Sequence, residues 1–171
     1  MLAKPMIYIL ICISLAVNGC GWQLRDMSPI ANDLGNVYVS YSDSQANIGL
    51  ALRRELNASH VKLVETNAEA DYLIKIIDTQ NSRRISAVNI NIRASQYQLY
   101  QAVDYMMIDN MGRQIIPLTT AYAESSHDFN ERDVLASKNE ESLIQDNLRF
   151  DIVRQMLSRI SEASINAEPL E

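Results

Sequence analysis

Two long alternating segments joined by a tight turn set the strongest limit on the fold of this chain. Residues 95–109 carry the two-residue period of a β-strand. Five of its eight odd positions are apolar: Tyr97, Leu99, Val103, Tyr105 and Met107. At about 3.4 Å per residue, this segment predicts a strand near 50 Å long. Residues 109–112 have hairpin-turn chemistry and residues 114–124 return as the partner strand, in which Pro117 indicates an edge or a bulge.

The segments on either side of this hairpin predict an α+β architecture. They comprise, in chain order, a strand at 37–41, a helix at 45–57, a short strand at 61–64, a strand at 72–82 that continues extended to 92, and a final helix at 132–161. The predicted fold class is therefore a small, mostly antiparallel sheet of about four strands with two helices packed on one face.

The final helix carries more apolar surface than one sheet requires. Its first row contains Leu143, Phe150, Val153, Leu157 and Ile160, and is predicted to face the core. Its second row contains Ile144, Leu148, Ile152 and Met156. The second row either packs on the first helix or contacts a partner protein. In the latter case Ile144, Leu148 and Ile152 are the interface candidates.

The N-terminus predicts export and lipidation. Lys4 precedes an apolar run over residues 6–17, which is too short to span a bilayer and is typical of a signal peptide. Residues 17–20 (Val-Asn-Gly-Cys) resemble a bacterial lipobox, so Cys20 is the predicted lipidation site, and Gly21 favours the outer membrane. The predicted organisation is a signal peptide at 1–19, a lipidated tether at 20–36, a domain at 37–163 and a flexible tail at 164–171.

Composition and motifs argue against several functional classes. Fifteen basic and 21 acidic residues leave a net charge of −6, which disfavours nucleic-acid binding. The sequence has no glycine-rich phosphate loop and no G-x-S-x-G motif. His60 and His127 lack metal-ligand spacing, and Glu140 and Glu141 indicate a solvated helix start. We expect no catalytic residue, no metal and no cofactor.

A local basic cluster stands out in this acidic chain. Lys75, Arg83, Arg84 and Arg93 lie in or beside the predicted strands. They form either a solvated sheet edge or a site for an anionic ligand such as a phosphorylated glycolipid. In a regular strand the shared parity of Lys75, Arg83 and Arg93 favours Arg83 over Arg84 as a member of that site.

Four short motifs, in order along the chain, resemble the LPS-assembly lipoprotein LptE family. The most specific is residues 20–25 (Cys-Gly-Trp-Gln-Leu-Arg). Residues 53–56 (Arg-Arg-Glu-Leu) are similar to the family's first helix, residues 95–99 (Ser-Gln-Tyr-Gln-Leu) to its central strand, and residues 135–140 (Leu-Ala-Ser-Lys-Asn-Glu) to the opening of its last helix.

The resemblance implies a non-enzymatic lipoprotein anchored in the outer membrane of a Gram-negative bacterium. Family members plug the β-barrel LptD, help it to assemble and bind lipopolysaccharide during delivery to the cell surface. The domain would be held within the barrel or at its periplasmic side. Because the family commonly has a basic residue near this point of the last helix, Lys138 joins Lys75, Arg83 and Arg93 as a lipopolysaccharide-binding candidate.

Two other functional classes remain open from the sequence. One is a lipid-anchored periplasmic accessory domain or enzyme that acts on the cell envelope, which requires a cleft with convergent catalytic groups. The other is a lipid carrier, which requires a closed apolar cavity of several hundred Å³.

Overall fold

The computed structural model describes residues 34–88, 90, 93–129 and 133–167. Four strands carry the sheet: β1 (Val37–Ser40), β2 (Tyr72–Val88), β3 (Ala94–Asp109) and β4 (Gln114–Asp128). Within the ranges just given, two α-helices accompany them: α1 (Ala46–Ala58) and α2 (Val134–Ala167). The predicted signal peptide, Cys20 and most of the tether lie outside the described residues.

The strands form one sheet in the order β1-β2-β3-β4. β1 pairs in parallel with the start of β2, while β2–β3 and β3–β4 are antiparallel. One apolar cluster joins side chains of both helices to one face of the sheet. The predicted α+β class is confirmed. Residues 72–88 form a single long strand, β2, which pairs with β3 and so adds a third strand to the predicted hairpin.

The segment at 61–64, predicted as a short strand, makes only a single bridge. Leu63 pairs with Val37, whose N–H donates to the Lys62 carbonyl at 2.9 Å. Val61 and Val64 are buried. The apolar residues of this segment are therefore explained by burial beside β1, and the segment is not a strand of the sheet.

The end of α1 explains the role of His60. His60 has a positive φ of 63°, and its N–H donates to the Asn57 carbonyl at 3.0 Å. The Val61 N–H donates to the Leu56 carbonyl at 3.0 Å, and both of these side chains are buried. This pattern is a Schellman motif, so His60 ends the helix through its backbone.

The buried face of α2 differs from the predicted core row. Its buried apolar side chains are Leu148, Ile152, Val153, Met156, Leu157 and Ile160. Leu143 and Phe150 are 65% and 49% exposed. Since α2 packs against both β4 and α1, it buries about half of its circumference, and this face combines most of the second row with Val153, Leu157 and Ile160 of the first. Leu148 and Ile152 are therefore core residues, and their prediction as interface residues is wrong; Ile144 is half-buried.

The described domain exceeds its predicted limits at both ends. Leu34 already belongs to the apolar core, three positions before the predicted start. At the other end α2 continues to Ala167, and Ser164 is buried, so the segment predicted as a flexible tail begins within the helix. Leu34 packs among residues that are distant in the sequence, so its burial leaves no local pattern, whereas the Ser164 hydroxyl donates a local hydrogen bond to the Ser161 carbonyl at 2.9 Å.

Replacing Leu157 by alanine is expected to lower the free energy of unfolding by about 2–5 kcal/mol, because the side chain is fully buried and a cavity would remain. Leu143→Ala is the matched control on the same helix, with an expected change within about 0.5 kcal/mol. Urea denaturation measures both values. Equal losses in the two variants would contradict the observed packing of α2.

The turn between β3 and β4 is stabilised by hydrogen bonds to one carboxylate. Asp109 accepts hydrogen bonds from the backbone N–H groups of Met111 and Arg113 at 2.9 and 2.8 Å, and from Arg113 Nε at 2.6 Å. Desolvation would raise the pKa of Asp109, but these hydrogen bonds and the charge of Arg113 outweigh it, so the pKa lies below its ordinary value. Gly112 completes the turn with a φ of 80°.

The depressed pKa of Asp109 predicts a pH-dependent contribution to stability. A carboxylate with a lower pKa in the folded chain stabilises the fold above the unfolded pKa of about 3.9, and this contribution is lost as the pH falls through the folded pKa. Asp109→Asn should therefore lower the free energy of unfolding near neutral pH, and the difference from the wild type should shrink below about pH 4. A difference that stays constant across urea titrations in this range would contradict the role of Asp109.

Candidate functional site

The described part of the chain shows neither a metal centre nor a membrane-crossing helix. Among these residues no three His, Cys, Asp or Glu side chains cluster in a way that could hold a metal ion. Within the same ranges, neither helix is long and apolar enough to cross a bilayer.

One cleft brings together two of the predicted ligand-binding residues. It lies where the start of α2 crosses the β2–β3–β4 sheet and has a volume of about 530 Å³, and we call it the aromatic cleft. β2 contributes Arg83, β3 contributes Tyr97, and Phe129 follows β4. The first turns of α2 contribute Val134 and Lys138. Arg83 and Lys138 are far apart in sequence and meet only because α2 returns over the sheet.

Arg83 is held by two neighbours in the aromatic cleft. Its guanidinium carbon lies 3.5 Å from the centroid of the Tyr97 ring, within the range of a cation–π contact. Its Nε lies 3.3 Å from Oε2 of Glu141, with side-chain exposures of 41% for Arg83 and 19% for Glu141. Phe129 packs edge-on against Tyr97, with ring centroids 5.4 Å apart. The guanidinium is thus fixed over an aromatic wall while part of it stays open to solvent.

The aromatic cleft suits a ligand that is both anionic and apolar. Arg83 and the exposed Lys138 supply positive charge, while Tyr97, Phe129 and Val134 supply apolar surface. Arginine binds phosphate or carboxylate through charge-assisted hydrogen bonds. An apolar pocket with a few polar groups is the usual form of a small-molecule site.

A β-bulge separates Lys75 from this cleft. The β2–β3 register shifts from Ile76↔Tyr105 to Asp78↔Asp104, which leaves Ile77 without a partner. One additional residue inverts the alternation of side chains along a strand. Lys75 therefore lies on the face opposite to Arg83 and shares its face with Arg84. The parity prediction, which grouped Lys75 with Arg83, is wrong for this reason.

Arg93 is also outside the aromatic cleft. It is an exposed residue immediately before β3, and it does not line the cleft. Of the four predicted ligand-binding residues, only Arg83 and Lys138 are brought to one site.

Sequence reasoning missed the role of two adjacent glutamates. Glu141 faces Arg83 of β2, while Oε2 of Glu140 lies 3.6 Å from Nδ1 of His127 on β4. Neighbouring positions of a helix point about 100° apart, so the two carboxylates reach different strands of the sheet. The local sequence indicates only an acidic helix start, and the contacts depend on the position of α2 over the sheet.

His127 is a strand residue in the domain interior. Its side chain is 0% exposed, and neither imidazole nitrogen has a hydrogen-bond partner within the part of the chain described. It stands directly opposite Tyr97 in the β3–β4 ladder. The return strand, predicted to end at residue 124, continues to Asp128 and therefore includes His127.

A second cavity adjoins the aromatic cleft. It has a volume of about 410 Å³ and lies between the start of α1, the sheet and α2. We call it the amide cavity because its polar lining includes Asn47, Asn81, Gln101 and Gln145. Leu99 forms part of its apolar surface.

The fold and the cleft define a class: small α+β domains built on two successive hairpins, with a charged aromatic cleft under the last helix. Solved structures share the α+β fold of this chain. Lipoprotein B from Nitrosomonas europaea is similar with a TM-score of 0.70 and 22% identity, covering 86% of this chain and 94% of that chain. The rare lipoprotein B from Shewanella oneidensis is similar with a TM-score of 0.69 and 17% identity, covering 79% of this chain and 100% of that chain. At these identities the likeness shows the fold.

Sequence comparison then identifies the family. Residues 34–160 match the LptE family, described as lipopolysaccharide-assembly, and the chain belongs to it. A relative from Photorhabdus laumondii named LPS-assembly lipoprotein LptE is 23% identical over 146 residues, covering 85% of this chain and 79% of the relative. A relative of the same name from Pectobacterium atrosepticum is 21% identical over 147 residues, covering 85% and 79% of the two chains.

Family membership confirms the resemblance predicted from the four sequence motifs. It makes this chain a lipoprotein of lipopolysaccharide assembly that is associated with the outer membrane, and it excludes an enzyme.

Proposed function

We propose that this protein plugs and helps to assemble the LptD β-barrel, and that it assists lipopolysaccharide delivery to the outer leaflet of the outer membrane. The observation that carries the ligand-binding part is the aromatic cleft, which joins the cations Arg83 and Lys138 to an aromatic wall. Lipopolysaccharide combines phosphate groups with acyl chains, so it has both chemistries that this cleft can bind.

The length of the sheet supports a role across the outer membrane. Leu34 is the first described residue of the core, and Asn36, two positions later, donates its N–H to the Asp71 carboxylate. The Asp71 carbonyl accepts the N–H of Asn110 in the β3–β4 turn. The aromatic cleft is at the other end, because Tyr97 and Asp109 are separated by most of β3, roughly 40 Å. The apolar band of an outer-membrane barrel is about 25 Å tall. In the proposal, Cys20 carries the lipid anchor at the inner leaflet, and the cleft reaches the level of the outer leaflet.

The open face of the sheet supports placement inside a barrel. Side-chain hydrogen bonds cross its strands, including Gln98 to Glu124 at 3.0 Å, Gln96 to Asp128 at 3.0 Å and Thr120 to Asp104 at 2.6 Å. The lumen of a large barrel is polar, unlike the lipid-facing outer wall. The polar side chains of this face suit contact with the inner wall of a barrel.

Purification through a tag on this chain, after mild-detergent extraction of outer membranes, is expected to recover LptD with it. Depletion of the protein should lower the amount of mature LptD and make the cell permeable to bulky apolar antibiotics. Normal LptD levels and normal permeability after depletion would overturn the plug proposal and favour an accessory role on the cell envelope.

The double variant Arg83→Gln/Lys138→Gln is expected to bind lipopolysaccharide at least about tenfold more weakly, since charge-assisted contacts to phosphate contribute about 1.5–3 kcal/mol when desolvated. Lys75→Gln/Arg84→Gln is the matched control, because it removes the same charge from the opposite face. Binding of purified lipopolysaccharide and co-purification of LptD are measured for both. Loss of LptD with unchanged lipopolysaccharide binding would assign Arg83 and Lys138 to the barrel interface instead.

A further inference from the structure

The Arg83–Glu141 ion pair forms the boundary between two cavities. Arg83, Glu141 and Gln145 line both the aromatic cleft and the amide cavity. The two spaces of about 530 and 410 Å³ thus share this boundary across the face of the sheet. Opening the ion pair would join them into one groove between the sheet and α2.

The two sides of the boundary differ in chemistry. The aromatic cleft offers rings and cations, whereas the amide cavity offers the carboxamides of Asn47, Asn81, Gln101 and Gln145. A carboxamide has two N–H donors and an acceptor oxygen, so it can hydrogen-bond to hydroxyl groups in either direction. A lining rich in carboxamides, with apolar surface from Leu99, matches a sugar ring, which presents hydroxyl groups at its edge and C–H groups on its faces.

From this arrangement we infer that the Glu141 carboxylate is a built-in competitor, which the phosphate of a phosphorylated saccharide displaces from Arg83 while the adjoining sugar enters the amide cavity. The inference rests on the proposed function, because it names the part of a lipopolysaccharide-like ligand that each cavity takes. The phosphate binds at the boundary, and acyl or other apolar groups lie against Tyr97 and Phe129.

The geometry of the ion pair favours exchange. The separation of 3.3 Å between Arg83 Nε and Glu141 Oε2 exceeds the 2.7–2.9 Å of a tight charge-assisted hydrogen bond. The Arg83 side chain is 41% exposed, so water and a ligand can reach the guanidinium, and an ion pair open to solvent on one side contributes less than an enclosed one. Arg83 keeps its contact with the Tyr97 ring at 3.5 Å when the carboxylate leaves, so the guanidinium remains in position for the phosphate.

The side chains around the boundary also set the charge that a ligand meets. Arg149 lines the amide cavity and donates a hydrogen bond to Asp146 at 2.8 Å, and Lys138 lines the aromatic cleft. With Glu141 bound to Arg83, the boundary is neutral. When Glu141 is displaced, Arg83 adds its positive charge to that of Lys138 beside the phosphate.

Glucosamine 1-phosphate is a suitable small probe, with glucosamine and inorganic phosphate as its two halves. Glu141→Gln should bind the probe about two- to fivefold more tightly than the wild type, which corresponds to the contribution of a solvent-accessible ion pair. Glu140→Gln is the matched control, because Glu140 is the adjacent carboxylate and faces His127, and it should leave binding unchanged. The gain should disappear in Arg83→Gln/Glu141→Gln.

The amide cavity has its own test. Asn81→Ala and Gln101→Ala should weaken binding of glucosamine 1-phosphate and leave binding of inorganic phosphate unchanged. Equal effects on both probes would overturn the assignment of the sugar to this cavity. Melting temperatures of all variants show whether the fold is retained.

Lipopolysaccharide binding by the same proteins separates the inference from the proposed function. If the wild type binds lipopolysaccharide and Arg83→Gln/Lys138→Gln weakens binding, but Glu141→Gln binds no more tightly than Glu140→Gln, the competitor role is overturned and the proposed function stands. If the wild type does not bind lipopolysaccharide, the ligand-binding part of the proposed function fails, and the inference fails with it.

Discussion

The fold depends on the burial of α1 and the C-terminal half of α2 against one end of the sheet. Leu52 and Leu56 of α1 and Met156, Leu157 and Ile160 of α2 are all fully buried there, opposite Ile74, Tyr105 and Met107. Apolar burial of this kind provides most of the stability of a small domain. Because the hairpins are longer than the core, their far end extends beyond it. There the first turns of α2 approach the sheet through polar and aromatic contacts rather than through a continuous apolar core.

This division of the sheet accounts for the position of the candidate site. Where the core ends, α2 crosses the strands with Ser137, Glu140 and Glu141 facing them, and two cavities remain beneath it. A closely packed core has few voids larger than a water molecule. Open space for a ligand is therefore found at the polar end, where Arg83 and Lys138 meet. The aromatic cleft lies apart from this core, whereas the amide cavity borders it through Ile48 and Val103.

The bulge at Ile77 decides which charges belong to the site. Without it, Lys75 and Arg83 would share a face, as a regular two-residue period requires. With it, Arg83 turns toward α2, and Lys75 and Arg84 turn to the polar open face. The bulge lies beside the point where β1 ends, and Gln45 donates a hydrogen bond to the Ile77 carbonyl at 2.9 Å, which satisfies a backbone group that β1 does not reach.

The sequence by itself determined the α+β class, the long hairpins, the two helices and the family, because two-residue and four-residue apolar periods, turn residues and short motifs are local patterns. Arg83 and Lys138 were also identifiable as candidates, from their charge and from the resemblance. Only the tertiary structure decided that α2 buries Leu148 and Ile152 and exposes Leu143 and Phe150, since the choice depends on where α1 lies. It also decided that Glu141 meets Arg83 and that Lys75 does not. These outcomes depend on the unpaired Ile77 in β2 and on the path of α2 across the sheet. Neither feature can be recognised from the local sequence around Arg83, Lys75 or Glu141.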